Sequence, residues 1–99
     1  MQIRQTKEFR SWLLELRDRQ ARVRILSRLD RLAEGNPGQS RSVGQGIVEL
    51  KIDYGPGYRV YLINRGSEVI ILLCGGDKSS QTRDIQRAKD LAEAFEKEE

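Results

Sequence analysis

Three cations set the chemistry this chain can offer. Lys51 and Arg59 stand in neighbouring stretches of alternating apolar and polar residues, and Lys78 sits in the segment Gly75-Gly-Asp-Lys-Ser-Ser80. Tyr61 shares the alternating phase of Arg59, while Arg41 and Arg83 lie in flanking segments that can join them. The sequence contains no histidine, which excludes Ser-His-Asp and Cys-His mechanisms and His-bearing zinc sites. Carboxylates are scattered and often neighbour a base, so neither a metal nor a cofactor is expected. A cluster of lysine and arginine suits the capture of a phosphate and the stabilisation of charge developing on it. The glycine segment adds the hydroxyls of Ser79 and Ser80 and backbone N–H groups at a helix start, a natural place for an anion. The GxxxxGK[ST] spacing of a nucleotide-hydrolase phosphate loop is absent. Cys74, inside an apolar run, reads as inert core.

Residues 47–81 must carry these groups on three strands and two turns. Val48, Leu50 and Ile52 alternate with Glu49, Lys51 and Asp53, and Val60 and Leu62 alternate with Arg59, Tyr61 and Ile63. A three-residue Gly55-Pro56-Gly57 loop sets Leu50 opposite Leu62, Lys51 opposite Tyr61 and Asp53 opposite Arg59, with the polar groups on one face. A two-residue loop would mix the faces. Residues 69–74 are apolar on both sides and belong in the middle of a sheet. Asn64-Arg-Gly-Ser67 is a hairpin turn with Gly66 available for positive φ.

The rest of the chain supplies helices. Thr6 caps a helix whose apolar face is Phe9, Trp12, Leu13 and Leu16. A break near Asp18 leads to a second helix over residues 20–34, with Ala21, Ile25, Leu26, Leu29, Leu32 and Ala33 on its core face. Arg24, Arg28 and Arg31 form a ridge at i, i+4 and i+7 on the opposite side. Residues 2–5 offer a short edge strand, residues 35–46 a polar loop carrying Arg41, and Ser79 or Ser80 caps a last helix marked by Ile85, Ala88, Leu91, Ala92 and Phe95. The two N-terminal helices cover one face of the sheet, and the chemistry is expected on the other.

Ninety-nine residues make one domain, residues 1–99, with enough apolar content at 37% for one modest core. No apolar run approaches a membrane span, no signal-peptide region opens the chain, and a lone cysteine suits a reducing cytoplasm. Residues 1–50 carry ten Lys/Arg against six Asp/Glu (+4), and residues 51–99 eight against nine (−1). Nine of those ten N-terminal cations are arginine, a bias that favours phosphate recognition over plain solubility.

Glu49-Leu-Lys-Ile52, Gly55-Pro-Gly-Tyr-Arg-Val-Tyr61 and Leu72-Leu-Cys-Gly-Gly-Asp-Lys-Ser-Ser-Gln81, with Asp84-Ile85 and Ala88, resemble the addiction-module killer proteins. These are HigB-like toxins of the RelE/ParE superfamily from type II toxin–antitoxin systems. The likeness spans nearly the whole chain. It implies an α+β, RelE-like fold in which an N-terminal two-helix hairpin packs on a small antiparallel-dominated sheet in the order β-α-α-β-β-β-α. It also implies a metal-independent endoribonuclease (an mRNA interferase) that cuts mRNA on the ribosome and inhibits growth. The cognate antitoxin is expected to be a small helix-turn-helix protein encoded nearby.

The resemblance maps residue by residue. Arg59 matches the arginine of the superfamily's Tyr-Arg strand, Lys51 a basic residue of the preceding strand, and Lys78 the basic residue after the last strand. Where several such toxins have a tyrosine or histidine near the start of the final helix, this chain has Thr82, Arg83 and Asp84, which leaves the proton acceptor unassigned. Arg59 and Lys78 would stabilise a phosphorane-like transition state formed by attack of the RNA's own 2′-hydroxyl, with Lys51, Asp53 or Glu49 as the base. RNA contacts are expected from Arg24, Arg28, Arg31, Arg41, Tyr61, Ser79 and Arg83, the helix ridge holding ribosomal RNA together with Arg17, Arg19 and Arg22. Two alternatives stay open. One is a non-enzymatic ParE-like toxin that binds DNA gyrase, and the other is an inactive RNA-binding module; separately, Arg59 and Asp53 can simply form a cross-strand pair.

Overall fold

The computed structural model describes residues 1–97. Strand β1 (Gln2–Gln5) leads into helices α1 (Lys7–Glu15) and α2 (Arg19–Ala33). Strands β2 (Ser40–Ser42), β3 (Ile47–Ile52), β4 (Tyr58–Arg65) and β5 (Val69–Gly76) follow, and a 3-10 turn at Lys78–Ser80 runs directly into α3 (Gln81–Lys97). The architecture is α+β, with one strand more than the expected order: Ser40–Ser42, inside the polar 35–46 segment, pairs with β3. Among the described residues no helix is long and apolar enough to cross a membrane.

The helix starts follow from side-chain capping. Thr6 Oγ1 accepts the Phe9 N–H at 3.0 Å and donates to the Leu73 carbonyl at 2.6 Å, so one hydroxyl both starts α1 and ties it to β5. Asp18 accepts the N–H groups of Gln20 and Ala21 at 2.9 and 3.2 Å and starts α2. The last helix departs from expectation. The 3-10 turn that leads into it is capped by Asp77, whose carboxylate accepts the Ser79 N–H at 2.8 Å while Ser80 Oγ accepts the Asp77 N–H in return.

The five strands lie in the order β1-β5-β4-β3-β2, with β1 parallel to β5 and the other pairs antiparallel. Phe9, Ile25, Leu29 and Leu32 pack against Leu50, Val60, Leu62 and Leu72 on one face. Leu26, expected on that face, is 48% exposed, because Ile25, Leu29 and Leu32 already define the stripe that meets the sheet. The second face is not bare. Ala88 and Ala92 of α3 cover Ile47, Tyr61, Ile63, Ile71 and Leu73, which leaves its polar end for chemistry.

Strand register departs from expectation by two residues. Leu50 lies opposite Val60, Lys51 opposite Arg59 and Glu49 opposite Tyr61, with a five-residue connection from Asp53 to Gly57. Both registers put the same residues on the same face, so face-matching could not separate them. Gly55 and Gly57 take φ of +57° and +80° within that five-residue connection. Asp53 therefore does not face Arg59. Between β4 and β5 the pairing slips at Tyr61/Leu62, so that Leu73 is an extra residue on β5. That bulge places Gly76, rather than Gly75, opposite Arg59.

Candidate active site

Lys51, Arg59 and Gly76 form one row across β3, β4 and β5. Like charges on Lys51 and Arg59 face each other directly, an arrangement that costs stability unless an anion lies near. Glu49 supplies it. Its carboxylate is 3% exposed, and Oε2 lies 3.8 Å from Arg59 Nε, close enough for an ion pair and too long for a hydrogen bond. Oε2 accepts from the Tyr61 hydroxyl and Gln81 Nε2, each at 2.9 Å, and Oε1 accepts from Arg41 Nε at 2.9 Å. One carboxylate thus joins β2, β4 and α3. Burial pushes the Glu49 carboxyl up, but the hydrogen bonds from Arg41, Gln81 and Tyr61 outweigh it and the net displacement is downward.

This downward displacement has a sign that can be tested. A carboxylate held below its unfolded value of about 4.3 contributes stability above that pH and loses it as pH falls through the folded value. Glu49→Gln is expected to lower stability at pH 7 by about 1.5–3 kcal/mol, the usual worth of hydrogen bonds to a charged group. The gap between variant and wild type should close toward pH 3. Thermal midpoints from pH 3 to 7 measure it, and a gap independent of pH would contradict the assignment.

Arg59 is 6% exposed. Its Nη1 donates to the Gly57 carbonyl at 2.6 Å, and Nε is buried without a hydrogen bond. Nη2 is neither bonded within the described residues nor among the buried unpaired atoms, and is the corner of the guanidinium that reaches outward. A Cβ placed on Gly57 would lie 3.0 Å from Arg59 Nη1 and 3.7 Å from Lys78 Cβ, so the arginine and the exposed lysine border the same spot. The glycine is required there by its positive φ and by this crowding. Lys51, Arg59 and Lys78 therefore come together at one end of the sheet.

Other expected contacts resolve differently. Tyr61 is fully buried, its hydroxyl raised in pKa by burial and by the bond to Glu49, and its ring presents no surface to a nucleic-acid base. Ser79 donates through both its N–H and its Oγ to Asp77 Oδ1, at 2.8 and 2.5 Å. The Ser79 and Ser80 amides are thus taken by Asp77 and are not free for an anion. The Ser79 hydroxyl and that amide hold the Asp77 carboxyl below its usual range. Arg28 does not stand on an open ridge. Nη1 donates to the Lys51 carbonyl at 2.5 Å, and Nη2 to those of Pro37 and Gln39 at 2.9 and 3.1 Å, clamping α2 to β3 and the following loop. Arg24 lies over the Tyr54 ring, 4.6 Å from its centroid, and Arg31 is exposed. Arg24 and Arg31 line an open groove of about 450 Å³ that also holds Asp53. Arg83 is exposed on α3. Cys74 is buried, its thiol pushed up to about 12 chiefly by burial, which keeps it protonated and unreactive.

The glycine pair ending β5 has a packing origin that spacing alone does not reveal. A Cβ on Gly75 would enter the Trp12 ring on one face of the sheet, and one on Gly76 would enter the Asp84 carboxylate on the other. Asp84 is the site neighbour that sequence reasoning left without a role. Its position in the first turn of the last helix was the available signal.

The model of a family described as "Phage derived protein Gp49-like" matches residues 11–96, a span that holds all three cations and Asp84. A Haemophilus influenzae protein described only as uncharacterized is 52% identical over 93 residues, which cover 94% of each chain. The chain belongs to the phage-derived Gp49-like family, a family of toxin–antitoxin toxins of the addiction-module killer type.

Proposed function

We propose that this toxin is an mRNA endoribonuclease of the HigB-like, RelE/ParE kind, acting on the translating ribosome. The observation that carries this reading is the meeting of Lys51, Arg59 and Lys78 at one sheet end, with Arg59 Nη2 turned outward. A toxin that acts only by binding a protein needs no such cation pocket. In the reaction, the 2′-oxygen of the RNA attacks the adjacent phosphorus, and Arg59 and Lys78 stabilise the charge that builds on the phosphoryl oxygens. Arginine stays protonated and acts only as a stabiliser.

Without a histidine the pocket is a weak general ribonuclease, and the ribosome supplies orientation by holding mRNA in one pose. Arg24 and Arg31, with Arg17, Arg19 and Arg22, would grip ribosomal RNA phosphates through salt-sensitive contacts. Arg41 and Arg83 flank the pocket and extend the same field, whereas Arg28 is committed to its three carbonyls. Such a toxin works in the cytoplasm and is neutralised there by its antitoxin, a small helix-turn-helix protein encoded nearby.

Induced expression with pulse labelling tests the reading. Translation should stop first, and mapped mRNA ends should appear in reactions with ribosomes and be absent or scarce in those without. Early arrest of DNA synthesis with intact mRNA would instead support the gyrase-binding alternative.

A further inference from the structure

The proposed reaction has stabilising cations but no proton acceptor, and three nearby carboxylates are unavailable for that task. Glu49 is buried, with both oxygens already accepting hydrogen bonds. Asp53 lies in the groove beside α2 and does not pair with Arg59. Asp77 is tied to the Ser79 hydroxyl and amide.

Asp84 remains. It stands in the first turn of α3, half-buried, with Oδ2 accepting a short hydrogen bond from the Ser80 hydroxyl. Oδ1 accepts none among the described residues. The carboxylate rests in the space that Gly76 leaves by lacking a side chain. Since Gly76 is the partner of Arg59, and Arg59 of Lys51, the row across the sheet reads carboxylate, guanidinium, ammonium. Neighbouring strands lie about 4.8 Å apart, so the two ends of the row are roughly 10 Å apart. In-line displacement at phosphorus needs a proton acceptor on the entering side and a donor on the leaving side.

We propose that Asp84 is the general base of this site. The inference rests on the endoribonuclease reading. The Asp84 carboxylate takes the 2′-hydroxyl proton as the 2′-oxygen forms its bond to phosphorus. The P–O5′ bond breaks, and its electron pair leaves with the 5′-oxygen, which takes a proton from the Lys51 ammonium. Water restores the proton to Lys51 and removes the one on Asp84. The products are a 2′,3′-cyclic phosphate and a 5′-hydroxyl.

The test is single-turnover cleavage of ribosome-bound mRNA from pH 6 to 8.5. The wild-type rate should be nearly flat over that range. Asp84→Asn keeps an acceptor for the Ser80 hydroxyl. It should cleave about 10²–10⁴-fold more slowly at pH 7, and its residual rate should climb about tenfold per pH unit as hydroxide substitutes for the base. A variant with a wild-type thermal midpoint that cleaves within threefold of wild type would overturn the proposal. If the variant does not fold, the wild-type profile decides: a rate climbing tenfold per unit would mark a lysine base and overturn it. A wild-type chain that never cuts ribosome-bound mRNA would sink the endoribonuclease reading itself, a separate outcome from activity without Asp84.

Discussion

Arg59→Ala is expected to reduce ribosome-dependent cleavage by about 10²–10³-fold, the usual cost of removing one preorganised stabiliser of an oxyanionic transition state. The loss should appear in the chemical step, because the guanidinium meets the charge that builds on phosphorus and not the uncleaved strand alone. The fold should survive, since Glu49 keeps its bonds to Arg41, Tyr61 and Gln81 after Arg59 is gone. Arg59→Lys makes the sharper comparison. It preserves the charge but loses the planar fork, in which Nη1 is anchored on Gly57 while Nη2 faces outward. Activity well below wild type is therefore expected even with the cation kept. Single-turnover rates beside thermal midpoints check both variants, and a stably folded Arg59→Ala protein that cleaves at the wild-type rate would remove Arg59 from the site.

Phe9→Ala should have the largest effect on stability. Phe9 is fully buried between α1 and the sheet, with its ring 5.8 Å from that of Trp12. Truncation removes apolar burial and leaves a cavity that the surrounding strands cannot collapse to fill, a cost of about 3–5 kcal/mol. A domain of this size typically has roughly 5–15 kcal/mol in all. At about 4–8 °C per kcal/mol, the melting temperature should fall by more than 10 °C. Leu26→Ala is the matched control. At 48% exposed, Leu26 leaves little cavity, and the expected change is below about 1 kcal/mol. Equal losses in the two variants would contradict the placement of Leu26 outside the core.

The sequence by itself determined every element except β2, and which face β3 and β4 turn to the helical hairpin. Alternation in residues 48–52 and 59–63, the cap at Thr6, the break near Asp18 and the helical spacing of Ile85, Ala88 and Ala92 are local signals. Backbone periodicity makes them readable without the fold. The candidate cations were legible for the same reason, since a strand's phase says which of its side chains travel together.

Only the tertiary structure decided how those groups meet. Registers two residues apart bury the same face, so the apolar pattern alone does not set Lys51 opposite Arg59. A one-residue bulge at Leu73 then brings Gly76 into the row, and the missing side chain admits Asp84 from a helix on the other side of the loop. The carbonyls that claim Arg28 and the three donors that claim Glu49 come from other elements of the fold. Residue spacing carries no trace of such partners, because hydrogen bonding in a closed interior depends on which segments become neighbours when the chain folds.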